Sequence, residues 1–336
     1  MSPPASESVL PATLAGTESR VDASAIRQGQ RQAQAILARG SKSFALAGAL
    51  LGAGIRQDAA VLYAWCRLAD DRIDRIDLAP ATKRAQAVQV LRAELDAIYR
   101  GSVRQPMLVA LHELVVRTGL PRAYLDDLVD GFAMDAEGTR YASLSELDLY
   151  AYRVAGVVGL MMCHVLGVRD QNGVPRAAHL GMAMQLTNIC RDITEDWHAH
   201  RQYLPLDLVS PQALRKAVEA SASERATVSK AVAQLLDRAD GYYASGMKGL
   251  RALGWRNALA IGAAARIYRA IGRRIERRQF DVFAGRAVVS FTAKLGLALA
   301  SALALLLDLP RRLRQRNTRL QRPPTTVRFT DVKGAV

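Results

Sequence analysis

The sequence has little cysteine and few aromatic residues, and both shortages narrow the possible fold classes. Its three cysteines, Cys66, Cys163 and Cys190, are far apart and lack the spacing of metal ligands. This argues against a disulfide or zinc framework and favours reduced thiols in a cytoplasmic protein. Aromatic residues make up 6% of the chain, and alternating β-branched and polar runs with hairpin turns are almost absent. An all-α fold is therefore predicted.

Long apolar runs and a secretory start are also lacking. The longest uncharged apolar stretches, 154–168 and 295–307, are shorter than the roughly 20 residues with which a helix spans a bilayer. The first 25 residues, rich in Ser, Ala and Pro, have no basic segment followed by an apolar one. We therefore expect no transmembrane helix, and we expect residues 1–25 to be a disordered leader.

Positive charge is present in excess. The formal net charge of +15 indicates an acidic partner, such as nucleic acid, an anionic membrane or a phosphorylated substrate. Arginines cluster within 273–278 and 311–322, the second cluster soon after the apolar run that ends at Leu307. A basic stretch beside an apolar helix is more typical of a membrane anchor than of a surface that reads bases. A solvated C-terminal tail is the alternative, and both stay open here.

The organisation of the chain indicates one helical domain. Half of the residues are apolar, which is enough for a sizeable core. Helical periodicity recurs from about residue 25 to 307, with short breaks at Pro and Gly, and no fixed repeat or linker composition interrupts it. We predict a bundle of roughly ten or more helices over 26–309, followed by a basic flexible tail over 310–336.

Two segments carry paired carboxylates at helical spacing. Residues 62–74 read LYAWCRLADDRID, and residues 185–196 read QLTNICRDITED. On a helix, each segment places four polar residues on one stripe. The first stripe contains Tyr63, Arg67, Asp70 and Asp74. The second stripe contains Gln185, Asn188, Asp192 and Asp196. Asp71 lies about 100° away from the first stripe, and we expect it either to support the ligands from behind or to be a charge on the helix surface.

Matched stripes of this kind favour a metal site. If they face each other, four carboxylates converge, and their repulsion calls for hard divalent cations, of which Mg²⁺ is the natural candidate. Arg67 and Arg191 are positioned to bind a phosphate, so the ligand predicted is a diphosphate. The alternative is that the aspartates pair with neighbouring arginines on exposed helix faces. The duplicated pattern favours the metal site.

These stretches resemble the signatures of the head-to-head prenyltransferases, the family that includes squalene and phytoene synthases. YAWCRLADDRID and QLTNICRDITEDWHAHRQYLP are similar to its two aspartate motifs. Further matches are GSKSF at 40–44, DGFAMDAEGTRY at 130–141, YRVAGVVGLMM at 152–162 and DVFAGRAVVSFTAKL at 281–295. The resemblance covers roughly 36–295 and is strongest to the bacterial phytoene synthases. It implies an isoprenoid-synthase-type helical bundle around a central apolar cavity.

The resemblance also implies roles for individual residues. The implied catalytic residues are Tyr63, Arg67, Asp70, Asp74, Asp192 and Asp196. The implied metal ligands, for Mg²⁺ with Mn²⁺ as an alternative, are Asp70, Asp74, Asn188, Asp192 and Asp196. The implied substrate-binding residues are Ser41, Ser43, Phe44, Tyr150, Val154, Gly159, Gln185, Asn188, Arg191, Arg201, Tyr203, Tyr268 and Arg286. The flap after the second motif has His200 where the family commonly has Gly, which leaves its backbone conformation open.

The implied reaction joins two geranylgeranyl diphosphates, through prephytoene diphosphate, to phytoene, the first committed step of carotenoid synthesis. The alternative within the family is a squalene or dehydrosqualene synthase acting on farnesyl diphosphate. From another class, a nucleic-acid or membrane-binding module could keep this fold. The proton acceptor is left open among Tyr63, Tyr268 and the released diphosphate.

The expected partners follow from this reaction. They are geranylgeranyl diphosphate, a peripheral membrane surface at the inner face and, as an option, other carotenoid-pathway enzymes; nucleic acid is not expected. Gly52 and Gly54 form a lone GxG without a preceding strand, which is not a dinucleotide fingerprint. No NADPH requirement is expected.

Overall fold

The computed structural model describes residues 23–40, 42–76, 79–168, 170, 173–309 and 326–334, and every regular element among them is helical. The predicted all-α fold is confirmed. In chain order the helices are α1 Ala23–Gly40, α2 Lys42–Ala49, α3 Ala53–Asp74, α4 Ala81–Arg100, α5 Pro106–Thr118, α6 Arg122–Glu137, α7 Leu144–Ala151, α8 Val157–Val165, α9 Val174–Arg191, α10 Ile193–His198, α11 Pro211–Val218, α12 Ala222–Gly249, α13 Trp255–Glu276, α14 Phe291–Leu307 and α15 Phe329–Lys333. A π-helical turn, Tyr152–Gly156, joins α7 to α8, and a 3₁₀ turn, Leu250–Ala252, follows α12.

Helix α9 lies at the centre of the bundle, in contact with α8, α12, α13 and the π-helical turn. Small residues allow this close approach. A Cβ on Gly159 would lie 2.1 Å from the carbonyl oxygen of Ala177, and a Cβ on Gly181 would lie 2.1 Å from that of Ala155. Larger residues at these two positions would push α8 and the π-helical turn away from α9.

Local capping sets several helix boundaries. Ser143, Ser210 and Ser290 each accept a hydrogen bond from the backbone amide three residues later, at the start of α7, α11 and α14. These contacts satisfy amides that have no partner within the helix. Helix α5 ends at Gly119, where φ is +61°, so the break predicted at Gly119 to Pro121 is where the helix stops.

The segment 326–334 returns to the body of the bundle. The Val327 amide donates to the Tyr124 hydroxyl over 3.0 Å, and the Tyr152 hydroxyl donates to the Val327 carbonyl over 3.1 Å. His179 Nε2 donates to the Val332 carbonyl over 3.0 Å. Val332 is fully buried. A flexible tail had been expected here, but burial of two valines and three hydrogen bonds holds this part in place.

The other expected domain limits, those of the leader and of the rest of the tail, stay predictions. Residues 1–22 of the expected leader, and residues 310–325 and 335–336 of the expected tail, lie outside the described residues. Helix α1 begins at Ala23, three residues before the predicted start of the domain. None of the helices in the described ranges is both long and apolar enough to cross a membrane.

Candidate active site

A cavity of about 620 Å³ runs along one face of α9. The α9 residues that line it recur at helical spacing from Ala177 to Arg191, a length of about 21 Å at 1.5 Å per residue. Near Ala177 the cavity is lined by Leu180, Leu250 and Leu253, whereas near Arg191 it is lined by polar side chains. The cavity therefore has an apolar end and a charged end.

The first predicted stripe lies at the charged end, on the last turns of α3. Carboxylate oxygens of Asp70, Asp71 and Asp74 all lie within 4.8 Å of one another. Removal from water and the charge of Asp74 raise the pKa of Asp70 to about 7, against the opposing charge of Arg67. Asp71 belongs to this group and binds Arg67 over 2.7 Å.

The second predicted stripe is broken by a change of helix. Helix α9 ends at Arg191, and Asp192 links it to α10 with φ −107° and ψ 14°. Asp192 forms an ion pair with Arg191 and accepts a hydrogen bond from Arg286 Nε over 2.8 Å. Burial alone would raise the pKa of Asp192, but these two arginines hold it below its usual value. Burial and the charge of Asp192 raise the pKa of Asp196 to about 7, against the opposing charge of Arg201.

Asp135, on α6, connects the two stripes, and sequence reasoning assigned it no role. It accepts hydrogen bonds from the Tyr203 hydroxyl over 2.8 Å and the Tyr150 hydroxyl over 3.1 Å. Burial raises its pKa to about 6, and the charge of Asp74 adds to the rise. A signal existed in the sequence, since Leu128, Phe132 and Asp135 have offsets 0, 4 and 7 and all line the cavity.

Arg201 links the same groups from the flap. Its guanidinium binds Asp74 Oδ1 over 2.9 Å, and its positive charge opposes the raised pKa values of Asp135 and Asp196. The first stripe, Asp135 and Asp196 are therefore close enough to influence one another's charge. The predicted convergence of the two motifs matches this arrangement, with Asp135 as an additional carboxylate.

Aromatic rings form two groups in this region. The rings of Tyr150 and Tyr203 stack with centroids 5.0 Å apart, and both hydroxyls donate to the carboxylate of Asp135. In the second group, Phe44 stacks on Tyr268 at 5.4 Å and meets Tyr63 edge-on at 6.1 Å. The Tyr63 hydroxyl lies so close to Gly40 that a Cβ there would be 2.5 Å away. These contacts limit the movement of the rings.

Most of the predicted site residues lie together. Those that line the cavity are Phe44, Tyr63, Arg67, Asp70, Tyr150, Val154, Gly159, Gln185, Asn188, Arg191, Tyr268 and Arg286. Asp74, Asp192, Asp196, Arg201 and Tyr203 do not line it and form the ionic and hydrogen-bonded network beside its charged end. Ser41 lies outside the described residues, and of Ser43 only the backbone, in α2, is described.

The flap is the segment after the second motif that contains His200 and Arg201. Its backbone is left-handed at His200, where φ is +59°. The Arg201 amide donates to the Asp196 carbonyl and the His200 amide to the Trp197 carbonyl, over 2.8 and 3.0 Å. This is the left-handed turn that ends many helices and that usually carries glycine. His200 therefore adopts the conformation that a glycine would favour and turns Arg201 back towards Asp74.

The residues at the charged end fit a divalent cation. All the candidate donors are oxygens, and Asp70 and Asp196 have raised pKa values because burial removes them from water and negative charges face them. The buried Oδ1 of Asn188 has no hydrogen-bond partner in the described part of the chain. A hard cation would relieve the repulsion and give this oxygen a partner.

Comparison with known proteins gives a consistent result. Residues 37–293 match the family model described as squalene/phytoene synthase. The chain is 42% identical over 269 residues to a 15-cis-phytoene synthase of Paracoccus sp., covering 78% of this chain and 86% of that protein. It is 39% identical over 273 residues to a 15-cis-phytoene synthase of Pantoea ananas, covering 79% and 88%.

Solved structures show the same architecture. The crystal structure of a dehydrosqualene synthase in complex with ligand aligns with a TM-score of 0.75 at 28% identity, over 84% of this chain and 98% of that chain. A squalene synthase from Alicyclobacillus acidocaldarius, 21% identical, shares the fold with a TM-score of 0.68 over 76% and 96%. The resemblance inferred from the motifs is confirmed, and the chain belongs to the squalene/phytoene synthase family.

Proposed function

We propose that this protein is a phytoene synthase, which joins two molecules of geranylgeranyl diphosphate through prephytoene diphosphate to phytoene and releases two diphosphates. The observation that carries the proposal is the cavity along α9, charged at one end and apolar over the rest of its length. Such a cavity suits a substrate with a diphosphate head and a long hydrocarbon chain. The relatives described as phytoene synthases, at 39–42% identity, favour this member of the family.

At the charged end, the proposed metal ligands are Asp70, Asp74, Asn188, Asp192 and Asp196. Bound there, Mg²⁺ would stabilise negative charge on the departing diphosphate oxygens. Arg67 already binds Asp70 and Asp71, so its guanidinium stands beside the carboxylates and is half exposed. In the proposed reaction it binds a diphosphate oxygen and helps to offset the charge that develops as the ester bond breaks.

Arg191 and Arg286 would also offset the negative charge that develops on the departing diphosphate. Both line the cavity and both bind Asp192. A diphosphate oxygen that replaced one Asp192 oxygen as their partner would exchange one charge-assisted contact for another. The arginines are therefore positioned in advance, with little side-chain freedom left to lose on substrate binding.

Breaking the ester bond leaves an allylic carbocation, which must be kept from water. Phe132, Val154, Val158 and Met162 supply an apolar wall without nucleophilic oxygens. The rings of Phe44, Tyr63 and Tyr268 stand where the charged end meets the apolar part and offer π faces to a cation. Burial raises the pKa of Tyr63, so its hydroxyl stays protonated and offers no phenolate to accept a proton, which favours the diphosphate for the final proton loss.

The alternative product is a C30 hydrocarbon from farnesyl diphosphate. The likeness to a dehydrosqualene synthase structure is the observation that keeps it as a candidate. Both reactions use the same charged end and differ in how much of the apolar part the chains fill. The experiment must therefore establish the chain length of the prenyl diphosphate that the enzyme accepts.

The proposal is tested by the carbon number of the product. Purified protein is incubated with Mg²⁺ and either geranylgeranyl or farnesyl diphosphate, without NADPH, and the hydrocarbon is extracted and identified by mass. We expect a C40 triene from geranylgeranyl diphosphate, and none from the matched Asp70→Asn protein. A C30 product with no C40 product would overturn the choice of substrate, and no hydrocarbon from either would overturn the proposed reaction.

Two further expectations belong to this proposal. The product forms by proton loss, so NADPH is not required. Substrate and product are both lipids, so a cytoplasmic protein that works beside a membrane is expected, with other carotenoid enzymes as further partners.

A further inference from the structure

The π-helical turn Tyr152–Gly156 forms part of the cavity wall and has an uncommon backbone conformation. The Val157 amide donates to the Tyr152 carbonyl, five residues earlier, where an α-helix would use the carbonyl four residues earlier. Val154 and Ala155 of this turn line the cavity. Turns of this kind are rare and occur mostly at functional sites, so the contacts that hold this one in place bear on the shape of the cavity.

Two helices approach the turn closely. A Cβ on Gly131 of α6 would lie 2.7 Å from Val154 Cγ1, and a Cβ on Gly181 of α9 would lie 2.1 Å from the Ala155 carbonyl oxygen. Because packing at these distances leaves no free space, the turn cannot move towards either helix. Movement away from them is opposed by the groups that pack on its other residues.

Residues 326–334, which we call the C-terminal segment, pack on the first residue of the turn. The Tyr152 hydroxyl donates to the Val327 carbonyl over 3.1 Å, and the Tyr152 ring lies 5.4 Å from that of Phe329 between centroids. The Val327 amide in turn donates to the Tyr124 hydroxyl of α6 over 3.0 Å. None of these nine residues lines the cavity, so the C-terminal segment contacts the wall from behind.

A second set of contacts holds the other end of the C-terminal segment. His179 of α9 donates from Nε2 to the Val332 carbonyl over 3.0 Å, and its Nδ1 lies 2.8 Å from the Ser245 hydroxyl oxygen. The Lys333 ammonium donates to the Ser145 hydroxyl of α7 over 2.8 Å. The C-terminal segment is therefore bonded to α6, α7, α9 and the π-helical turn, each of which also contributes residues to the cavity wall.

The bundle contacts the C-terminal segment through main-chain groups and buried apolar side chains. Val327 and Val332 are buried, whereas Thr330 between them is exposed. A charged side chain at position 332 would lose its hydration without gaining a partner. A charge at position 330 would stay in water. The two positions thus separate docking of the C-terminal segment from its charge.

We infer that the docked C-terminal segment positions the cavity wall for the hydrocarbon chain of the substrate. It holds Tyr152, and through it the π-helical turn, so that Val154 and Ala155 keep the surface on which the chain packs. Tyr152 is a positioning residue, since it lies behind the wall and acts through the turn. The kinetic consequence rests on the proposed function, whereas the coupling between the C-terminal segment and the turn is a property of the fold.

Loss of this support should raise KM and leave kcat nearly unchanged. An apolar wall contacts the hydrocarbon chain in the ground state and in the transition state alike, and a contact of this kind contributes only to uniform binding. The carboxylates proposed to hold the metal lie on α3 and around the junction of α9 with α10, so they should keep their geometry when the turn loosens.

Two variants of the full-length protein test the coupling. Val332→Asp places a charge at the buried position, and Thr330→Asp adds the same charge at the exposed position of the same segment as the matched control. Hydrogen–deuterium exchange, followed by mass spectrometry, reports the protection of the amides of 152–157. Melting curves by circular dichroism establish that both proteins are folded.

We expect exchange of these amides to be at least tenfold faster in Val332→Asp and within twofold of the unchanged protein in Thr330→Asp. We also expect KM for geranylgeranyl diphosphate to be at least fivefold higher in Val332→Asp alone, with kcat within twofold. Unchanged exchange would disprove the coupling, and faster exchange with unchanged KM would disprove the positioning role. Equally faster exchange throughout the bundle, with a lower kcat, would reduce the effect to general destabilisation and overturn the inference.

A milder pair of variants decides the matter if Val332→Asp does not fold. Tyr152→Phe removes the hydroxyl that binds the Val327 carbonyl. Tyr99→Phe, its matched control, removes a hydroxyl that donates to the Leu120 carbonyl over 3.0 Å elsewhere in the bundle. We expect exchange at 152–157 and KM to be two- to fivefold higher in Tyr152→Phe only, and equal values in the two variants would contradict the inference.

Failure of the proposed function would be recognised separately. It would show as the absence of hydrocarbon product from the unchanged protein, whereas failure of this inference would show as equal exchange, or equal KM, in a variant and its matched control. Exchange is measured without substrate, so its result stands whichever reaction the protein catalyses.

Discussion

The two carboxylate stripes have closely similar spacing in the sequence, yet Asp70 of the first and Asp192 of the second have pKa values shifted in opposite directions. On α3, Asp70 stands beside two other aspartates, and removal from water and the charge of Asp74 raise its pKa. Between α9 and α10, Asp192 binds two arginines, which lower its pKa. Spacing decides where a carboxylate points, whereas the cations packed against it decide how readily it carries charge.

The different surroundings of these carboxylates indicate different roles. Asp192 is already paired with two arginines, so besides its proposed contact with the metal it holds Arg191 and Arg286 at the wall of the cavity. Asp70 and Asp196 have excess negative charge around them, so they gain most from an added cation. Variants of the two stripes should therefore differ in turnover, in metal response and in stability.

The largest effect is expected on turnover. Asp70→Asn or Asp196→Asn should lower hydrocarbon formation by about 10³-fold, because each removes charge that would hold the metal and the diphosphate. Asp237→Asn, at an exposed position of α12, is the matched control and should keep full activity. The measurement is the initial rate at saturating substrate and Mg²⁺, and a loss below tenfold for both variants would remove these residues from the catalytic set.

The second-largest effect is expected on the stabilisation of the folded protein by Mg²⁺. At a Mg²⁺ concentration 100 times its dissociation constant, binding to the folded state raises the free energy of unfolding by about 2.7 kcal/mol. We expect Mg²⁺ to raise the melting temperature of the unchanged protein and of Asp237→Asn relative to EDTA. Asp70→Asn should show little of this rise. A full rise in Asp70→Asn would place the metal away from the α3 stripe.

In EDTA, the two stripes should differ in the sign of their effect on stability. Asp192→Asn removes a charged partner of two arginines and should lower the free energy of unfolding by about 1–2 kcal/mol. Asp70→Asn relieves repulsion and should not lower it. Denaturant unfolding of both variants checks the comparison. Equal losses would mean that the different surroundings of the two carboxylates have no energetic consequence.

The smallest effect is expected at the ends of the two stripes. The α3 stripe is followed by Arg75 in right-handed helical conformation, whereas α10 ends at His198 and is followed two residues later by His200 with φ +59°. His200→Gly removes the cost of that conformation and should raise the free energy of unfolding by about 1 kcal/mol or less. His200→Ala keeps a Cβ and should give no gain, and a gain as large as that of glycine would remove backbone strain as the explanation.

Much of this arrangement could be predicted because it depends on local spacing. Offsets of 4 and 7 residues place side chains on one helix face whatever the rest of the chain does, so the all-α fold and the two stripes followed from the sequence. The break at Asp192 did not, since the same residues continue a helix equally well by periodicity. The break is visible only in the structure, where Asp192 leaves the helical conformation and its carboxylate binds Arg286, 94 residues later.

Residues that act through distant contacts were harder to find. Asp135 was visible as one acidic residue on an apolar helix face, but its importance depends on Tyr150 and Tyr203, which reach it from other elements. Asp71 lies at a different angle on the helix from Asp70 and Asp74, yet a carboxylate oxygen of each lies within 4.8 Å of the others. Angular position on a helix defines where the Cβ lies and only limits where the carboxylate can go.

The docking of segment 326–334 bears on the order in which the protein is completed. Tyr152 begins the π-helical turn that forms part of the cavity wall, and its hydroxyl binds the Val327 carbonyl near the C-terminal end of the chain. Until these residues leave the ribosome, Tyr124, Tyr152 and His179 lack the backbone partners with which they pair. These three side chains therefore gain their backbone partners only after residues 326–334 have been made, well after the helices that carry them.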